Sequence, residues 1–154
     1  MNDVESMFWP KVQKGPDCWE WTSVRGRGGY GRMSVNGTYR AAHRISWELV
    51  NGAIPAGRLL DHTCHNKGCV NPDHLRIVNH KQNAENMRSA PRHSPTGLRG
   101  VTYSKRRGCY EARVGHNGKR LFAGYHSTPE EAAEAAKQLR LSLFTHNDMD
   151  RKTA

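Results

Sequence analysis

No apolar run in this chain approaches the length needed to cross a membrane, and its opening residues, Met1-Asn2-Asp3-Val4-Glu5, lack the basic-then-apolar order of a secretory leader. The expectation is a soluble, cytoplasmic protein with no membrane partner. Apolar residues are scarce overall, 36% of 154 positions at a mean hydropathy of −0.84. That is little for one large core and fits two small units, one of them stapled by a metal. Acids are scarce too: 14 against 24 Lys and Arg leave a net charge of +10 and a pI near 9.8, which favours a polyanionic partner over an acidic protein. The glycine-rich run 26–31 lacks the Gly-Lys-Ser/Thr ending of a phosphate-binding loop and no apolar strand precedes it, so it reads as a flexible turn carrying Arg25 and Arg27. Cysteine is sparse, four in all. In a reducing compartment, close cysteines interleaved with histidines bind metal rather than pair as disulfides.

What is present concentrates in residues 59–88. Cys64, Cys69 and His74 recur at five-residue intervals, a spacing that a loop can fold round one ion. Cys and His are the donors a tetrahedral Zn2+ needs. The fourth donor must come from elsewhere, and Cys18 is the natural choice because Cys109 lies across a proline-containing break. Zinc in such a module contributes on the order of 10 kcal/mol to folding, comparable to a domain's whole net stability. Beside the cluster, Asp61 and His62 fall on a predicted strand that turns them to opposite faces. His62, with an ordinary pKa of about 6.5, accepts a proton near neutral pH. Asn83, on a predicted helix over 79–88, offers a neutral oxygen suited to a hard cation, Mg2+ or Mn2+. Water attacking a phosphodiester needs a general base and a cation on the phosphate oxygens.

In chain order, residues 1–17 predict a brief helix or extended arm, and Cys18-Trp19-Glu20-Trp21-Thr22 alternates like a half-buried strand. Asn36-Gly37 marks a hairpin between strands over 30–35 and 38–41. A short helix follows over 42–50, opened by His43, which reads as a packing or hydrogen-bonding residue. Strands over 59–63 and 75–78 flank the Cys/His loop. Two prolines among small polar residues mark 89–96 as a linker. Beyond it come a three-stranded meander with a second turn at Asn117-Gly118 and a helix opened by the capping box of Thr128 and Glu131. From His146 onward the chain reads as frayed. The predicted class is α+β, with a metal-stapled unit over 1–88, the linker 89–96, a sheet-and-helix unit over 97–146 and a tail over 147–154.

Asp61-His62, Cys64-His65-Asn66, Cys69-Val70-Asn71-Pro72-Asp73-His74-Leu75 and Asn83 resemble an HNH endonuclease, most closely the branch overlapping the His–Cys box homing nucleases with the ββα-metal fold. Cys18-Trp19, Gly29-Tyr30-Gly31 and His43-Arg44 resemble that family's upstream elements. The resemblance spans roughly residues 17–88. It implies that His62 is the general base, that Asn83 holds the catalytic divalent ion with Asp61 helping, and that a structural Zn2+ sits on Cys18, Cys64, Cys69 and His74. Asn71 falls on the family's middle asparagine, which supports the loop. Asn86 lies three residues past Asn83 on the same predicted helical face, so the helix offers two candidate asparagines.

The second unit carries seven basic residues between 99 and 124 (Arg99, Lys105, Arg106, Arg107, Arg113, Lys119, Arg120), interleaved with Tyr103, Tyr110 and Phe122. A β-ribbon of this kind fits the major groove, where arginine pairs with guanine edges. Leu98-Arg99-Gly100-Val101, Tyr110-Glu111-Ala112-Arg113-Val114, Phe122-Ala123-Gly124-Tyr125 and the helix start at Thr128 resemble the APETALA2-type DNA-binding domain. That likeness implies a sheet reading double-stranded DNA through Arg99, Arg113, Arg120 and Phe122, with Tyr103, Lys105 and Arg107 as further contacts. The combined expectation is a metal-dependent DNA endonuclease of phage or homing type that leaves a 5′ phosphate. As a monomer it would nick; as a homodimer it would cut both strands. Its rivals are a non-catalytic, zinc-stapled DNA-binding regulator and an RNA-binding module.

Overall fold

The computed structural model describes residues 3–87 and 89–152. The architecture is α+β, as expected, built from small antiparallel sheets and short helices. Among the described residues no helix is long and apolar enough to cross a membrane. The chain divides into two compact units, residues 1–81 and 82–154.

In the first unit α1 (Asp3–Phe8) and a 3-10 turn (Trp9–Lys11) lead into β1 (Val12–Lys14), which pairs antiparallel with β2 (Trp19–Trp21). A hairpin follows, β3 (Arg32–Val35) and β4 (Thr38–Ala41). Its turn residues Asn36 and Gly37 take φ of 50° and 76°, the left-handed pair that a two-residue turn of this hand requires. The helix α2 (Ala42–Asn51) starts directly after β4 and stops at Gly52. Ala42 and Ile45 on its inner face close over Phe8, Trp21, Met33 and Val70, forming a core of few but large side chains. Each large apolar side chain so buried contributes roughly 1.5–3 kcal/mol. The strands β5 (Leu59–His62) and β6 (Leu75–Val78) pair with Asp61 opposite Arg76 and His62 opposite Leu75. The helix α3 (His80–Glu85) is shorter than the span 79–88 predicted for it, and Arg88 lies outside the described residues.

The second unit is a meander of β7 (Val101–Ser104), β8 (Cys109–His116) and β9 (Lys119–His126) packed on α4 (Pro129–Leu143). Thr128 and Glu131 form the reciprocal cap that starts α4, and Ala132 and Ala136 are small enough to let it lie on Val101, Ala112 and Val114. The segment after α4 departs from the expected frayed tail. Asn147 is fully buried, a short helix α5 (Asp148–Lys152) follows, and Asp150 grips Arg140 through Nε at 2.6 Å and Nη2 at 3.0 Å. A buried guanidinium needs an anion, and Asp150 of this returning segment supplies one.

The division between units falls inside α3, between Lys81 and Gln82, ahead of the stretch 89–96 read as a linker. Its cause is a set of polar ties within the second unit. The carboxylate of buried Glu85 accepts from the backbone N–H of Thr145 (3.0 Å) and His146 (3.3 Å), and Asn86 Oδ1 accepts from Asp148 N–H at 3.1 Å. Arg99 donates to the carbonyls of Glu85 and Met87, each at 2.9 Å.

Candidate metal centre and active site

β2 does more than pair with β1. Its backbone also runs antiparallel to residues 68–70, with Trp21 N–H on Gly68 O at 3.0 Å and Val70 N–H on Trp19 O at 2.8 Å. Cys18, the residue before β2, is thereby brought 46 positions back along the chain to Cys64 and its loop. The ligand atoms of Cys18, Cys64, Cys69 and His74 all lie within 4.8 Å of one another, and all four cysteines of the chain are free thiols. His74 Nδ1 is 3.6 Å from the sulfurs of both Cys18 and Cys69. A zinc tetrahedron with Zn–S of about 2.3 Å and Zn–N of about 2.0 Å has S–N edges of about 3.5 Å, so the four donors fit the ion. Asn71 braces the loop: its N–H meets Cys69 Sγ at 3.4 Å, its side-chain oxygen caps the 72–74 turn at Asp73 N–H, and its amide reaches Asp17 O at 3.0 Å. Burial pushes the Cys69 thiol up to about 12 and raises Cys64 as well. A dication among them would reverse that shift and release protons on binding.

His62 closes β5 and is 6% exposed, with Nε2 3.0 Å from the carbonyl oxygen of Cys69. A carbonyl only accepts, so Nε2 carries the hydrogen and Nδ1 keeps its lone pair. Cys69 therefore acts twice, its thiol in the cluster and its carbonyl on the imidazole. Burial lowers the His62 pKa, with His65 and His74 adding to the shift while the Cys69 carbonyl and Asp61 oppose it. The result is a neutral imidazole able to accept a proton. Asp61 is held at Oδ2 by Arg76, through Nε at 3.1 Å and Nη2 at 2.8 Å.

Two residues the sequence did not assign to the site lie against His62. The rings of His43 and His62 meet edge to face at 4.9 Å between centroids, and Tyr30 lies 5.5 Å from His43 and 5.9 Å from His62. The glycine-rich run behind Tyr30 closes as a turn, with Gly26 N–H on Tyr30 O at 2.8 Å. A Cβ at Gly31 would stand 2.6 Å from the Trp21 indole, so only glycine lets the chain pass there. The signal that could have drawn attention to Tyr30 is its place between two glycines.

Other predicted residues have separate positions. Asn83 is exposed on α3, whereas Asn86 is buried and turned to Asp148. Arg99, expected to face DNA, instead clamps backbone carbonyls and lies over the Phe144 ring. Burial, helped by neighbouring Arg140, lowers its pKa. Tyr103 pairs with Tyr110, two positions along from core residue Val101, so strand alternation puts it on the α4 side of the sheet and not on the outer face. Arg113, Arg120 and Phe122 are exposed on that outer face, and Lys105 and Arg107 sit in the β7–β8 turn. Arg113 pairs with Glu111 and lies over Phe122, while Arg107 lies 4.5 Å over Tyr125.

The HNH endonuclease family model matches residues 40–85, which include His43, Asp61, His62, the Cys64–His74 loop and Asn83. Protein 3.8 of Escherichia phage T7 is 36% identical over 90 residues, covering 57% of this chain and 74% of its own length. The chain belongs to this HNH family. Protein 7.7 of the same phage is 41% identical over 71 residues, 46% of this chain and 55% of its own. Protein 2.8 is 33% identical over 72 residues, covering 46% and 48%. The HNH chain thus spans about half the length of two of these phage relatives. No solved structure matches it.

Proposed function

We propose that this HNH protein is a metal-dependent DNA endonuclease in which His62 activates water. The observation that carries the reading is the Cys69 carbonyl on His62 Nε2, which leaves Nδ1 as the proton acceptor beside a Cys/His cluster fit for Zn2+. Nδ1 takes a proton from water, the hydroxide attacks phosphorus, and the P–O3′ bond breaks; the departing 3′ oxygen takes a proton from solvent, leaving a 5′ phosphate and a 3′ hydroxyl. Asn83, with Asp61 contributing, would hold a Mg2+ or Mn2+, which would supply positive charge for the phosphate oxygens. Arg76 serves this arrangement by orienting the Asp61 carboxylate. Zinc on Cys18, Cys64, Cys69 and His74 shapes the loop and takes no part in the reaction.

The exposed sheet face of the second unit, with Arg113, Arg120, Phe122, Lys105 and Arg107, binds duplex DNA in this reading, in the manner of an APETALA2-type domain. Plasmid nicking in Mg2+ tests the catalytic claim. Wild type converts supercoiled to open-circular DNA, and His62→Ala lowers the rate at least about 100-fold with its zinc content intact. Equal rates for the two proteins would leave a DNA-binding protein that does not cut.

A further inference from the structure

The hydrogen bond from His62 to Cys69 O fixes one atom of the imidazole and leaves the ring free to turn about that N–H···O axis. Something else must set the plane in which the Nδ1 lone pair points. Two rings meet His62 directly. His43 meets it edge to face, at an interplanar angle of 62°, and Tyr30 lies against His62 at 41° and against His43 at 47°. Each of these rings is itself fixed. His43 sits in the first turn of α2, whose neighbouring Ala42 is fully buried against Trp21 and Phe8. Tyr30 is held by the closed glycine turn, and the Lys67 ammonium lies 5.4 Å over its ring. His43 Nδ1 is buried and makes no hydrogen bond, so the side chain contributes here as a ring and not through that nitrogen.

We propose that His43 and Tyr30 are positioning residues that hold the plane of the His62 imidazole, so that its Nδ1 lone pair is presented in one direction. The proposal rests on the nuclease reading for its rate consequence, but the ring geometry it claims exists without it. Edge-to-face ring contacts are directional, and a base whose lone pair swings by a few tens of degrees loses the aligned attack that intramolecular catalysis depends on. Burial around His43 also keeps it uncharged over the working pH range, so it packs on His62 without competing for the proton.

The test uses the full zinc-loaded chain and two readouts. One is the long-range 1H–15N imidazole spectrum with the His62 side-chain rotamer couplings. The other is single-turnover plasmid nicking in Mg2+. His43→Ala should shift the His62 ring resonances and average its couplings while zinc content stays unchanged. Its nicking rate should drop about 100-fold with half-saturating DNA concentration within about twofold, and His43→Phe should restore the rate to within about threefold. If His43→Ala loses its zinc, Tyr30→Leu, which alters a half-exposed ring, reads the same effect. Unchanged His62 resonances and couplings in the folded variant overturn the proposal. A folded His43→Phe as slow as His43→Ala also overturns it, since the nitrogen and not the ring would then matter. If wild type does not nick at all, the nuclease reading fails, and the imidazole spectra still decide the positioning claim.

Discussion

His43 lies where a charge would be costly. Burial, then His62 and Arg44, lower its pKa from 6.5 to about 3. As pH falls below 6.5 the unfolded chain takes up a proton that the folded chain refuses until about 3, so native stability is lost progressively across that window and regained as pH rises. Phenylalanine at this position has no proton to take up. The denaturant midpoint of zinc-loaded His43→Phe should therefore gain on wild type as pH drops from about 7 to about 5. A difference that stays constant with pH would show that His43 is not buried as a neutral ring. Cys69 has two connections, one through sulfur and one through its carbonyl, so loss of a metal from the cluster should be felt at His62.

At the scale of elements, the two units rest on different supports. The first has a small aromatic core and the four-donor cluster; the second has a capped helix on a three-stranded sheet. Chelation of zinc, or Cys64→Ser, should melt the first and spare the second. All four tryptophans lie in the first unit, so their emission should shift to the red. The amide resonances of residues 97–143 should stay dispersed. Collapse of both sets together would mean that the units do not fold independently.

Elements were legible in the sequence where the physics is local. Asn36-Gly37 and Asn117-Gly118 determine their turns through backbone conformation, and Thr128 with Glu131 determines a helix start through bonds three residues apart. The metal cluster was legible because Cys and His have few other uses at that spacing. Tyr30 and His43 were not, since only the packing of α2 and the glycine turn brings them to His62. Arg99 carries the same charge as Arg113, and nothing local distinguishes a guanidinium that clamps two carbonyls from one that faces solvent. The returning α5 was missed because its support, buried Arg140, sits on another helix.

At the scale of the whole molecule the net charge of +10 makes binding to any polyanion dependent on salt. Each phosphate contact by a lysine or arginine adds about 0.9 to the slope of log affinity against log salt on duplex DNA. Arg120→Ala and Arg113→Ala should each weaken duplex binding, and a phosphate-contacting one should flatten that slope by about one. Arg99→Ala should leave the slope alone and instead reduce thermal stability, because that side chain is tied to Glu85 and Met87. Fluorescence titrations at several salt concentrations separate these outcomes.

The ties of Glu85 and Asn86 to residues 145–148 have a consequence for any cut in the chain. A protease that opens the exposed stretch 89–96 severs the covalent path, yet residues 82–87 remain held by the carboxy-terminal piece. The nicked product should elute as one species from a sizing column under native conditions and as two on a denaturing gel. Glu85→Ala should let the halves part. An expression fragment ended at residue 88 would expose the buried carboxylate of Glu85 and leave the end of α3 without its anchor, so the amino-terminal half is better produced with its carboxy-terminal neighbour than alone.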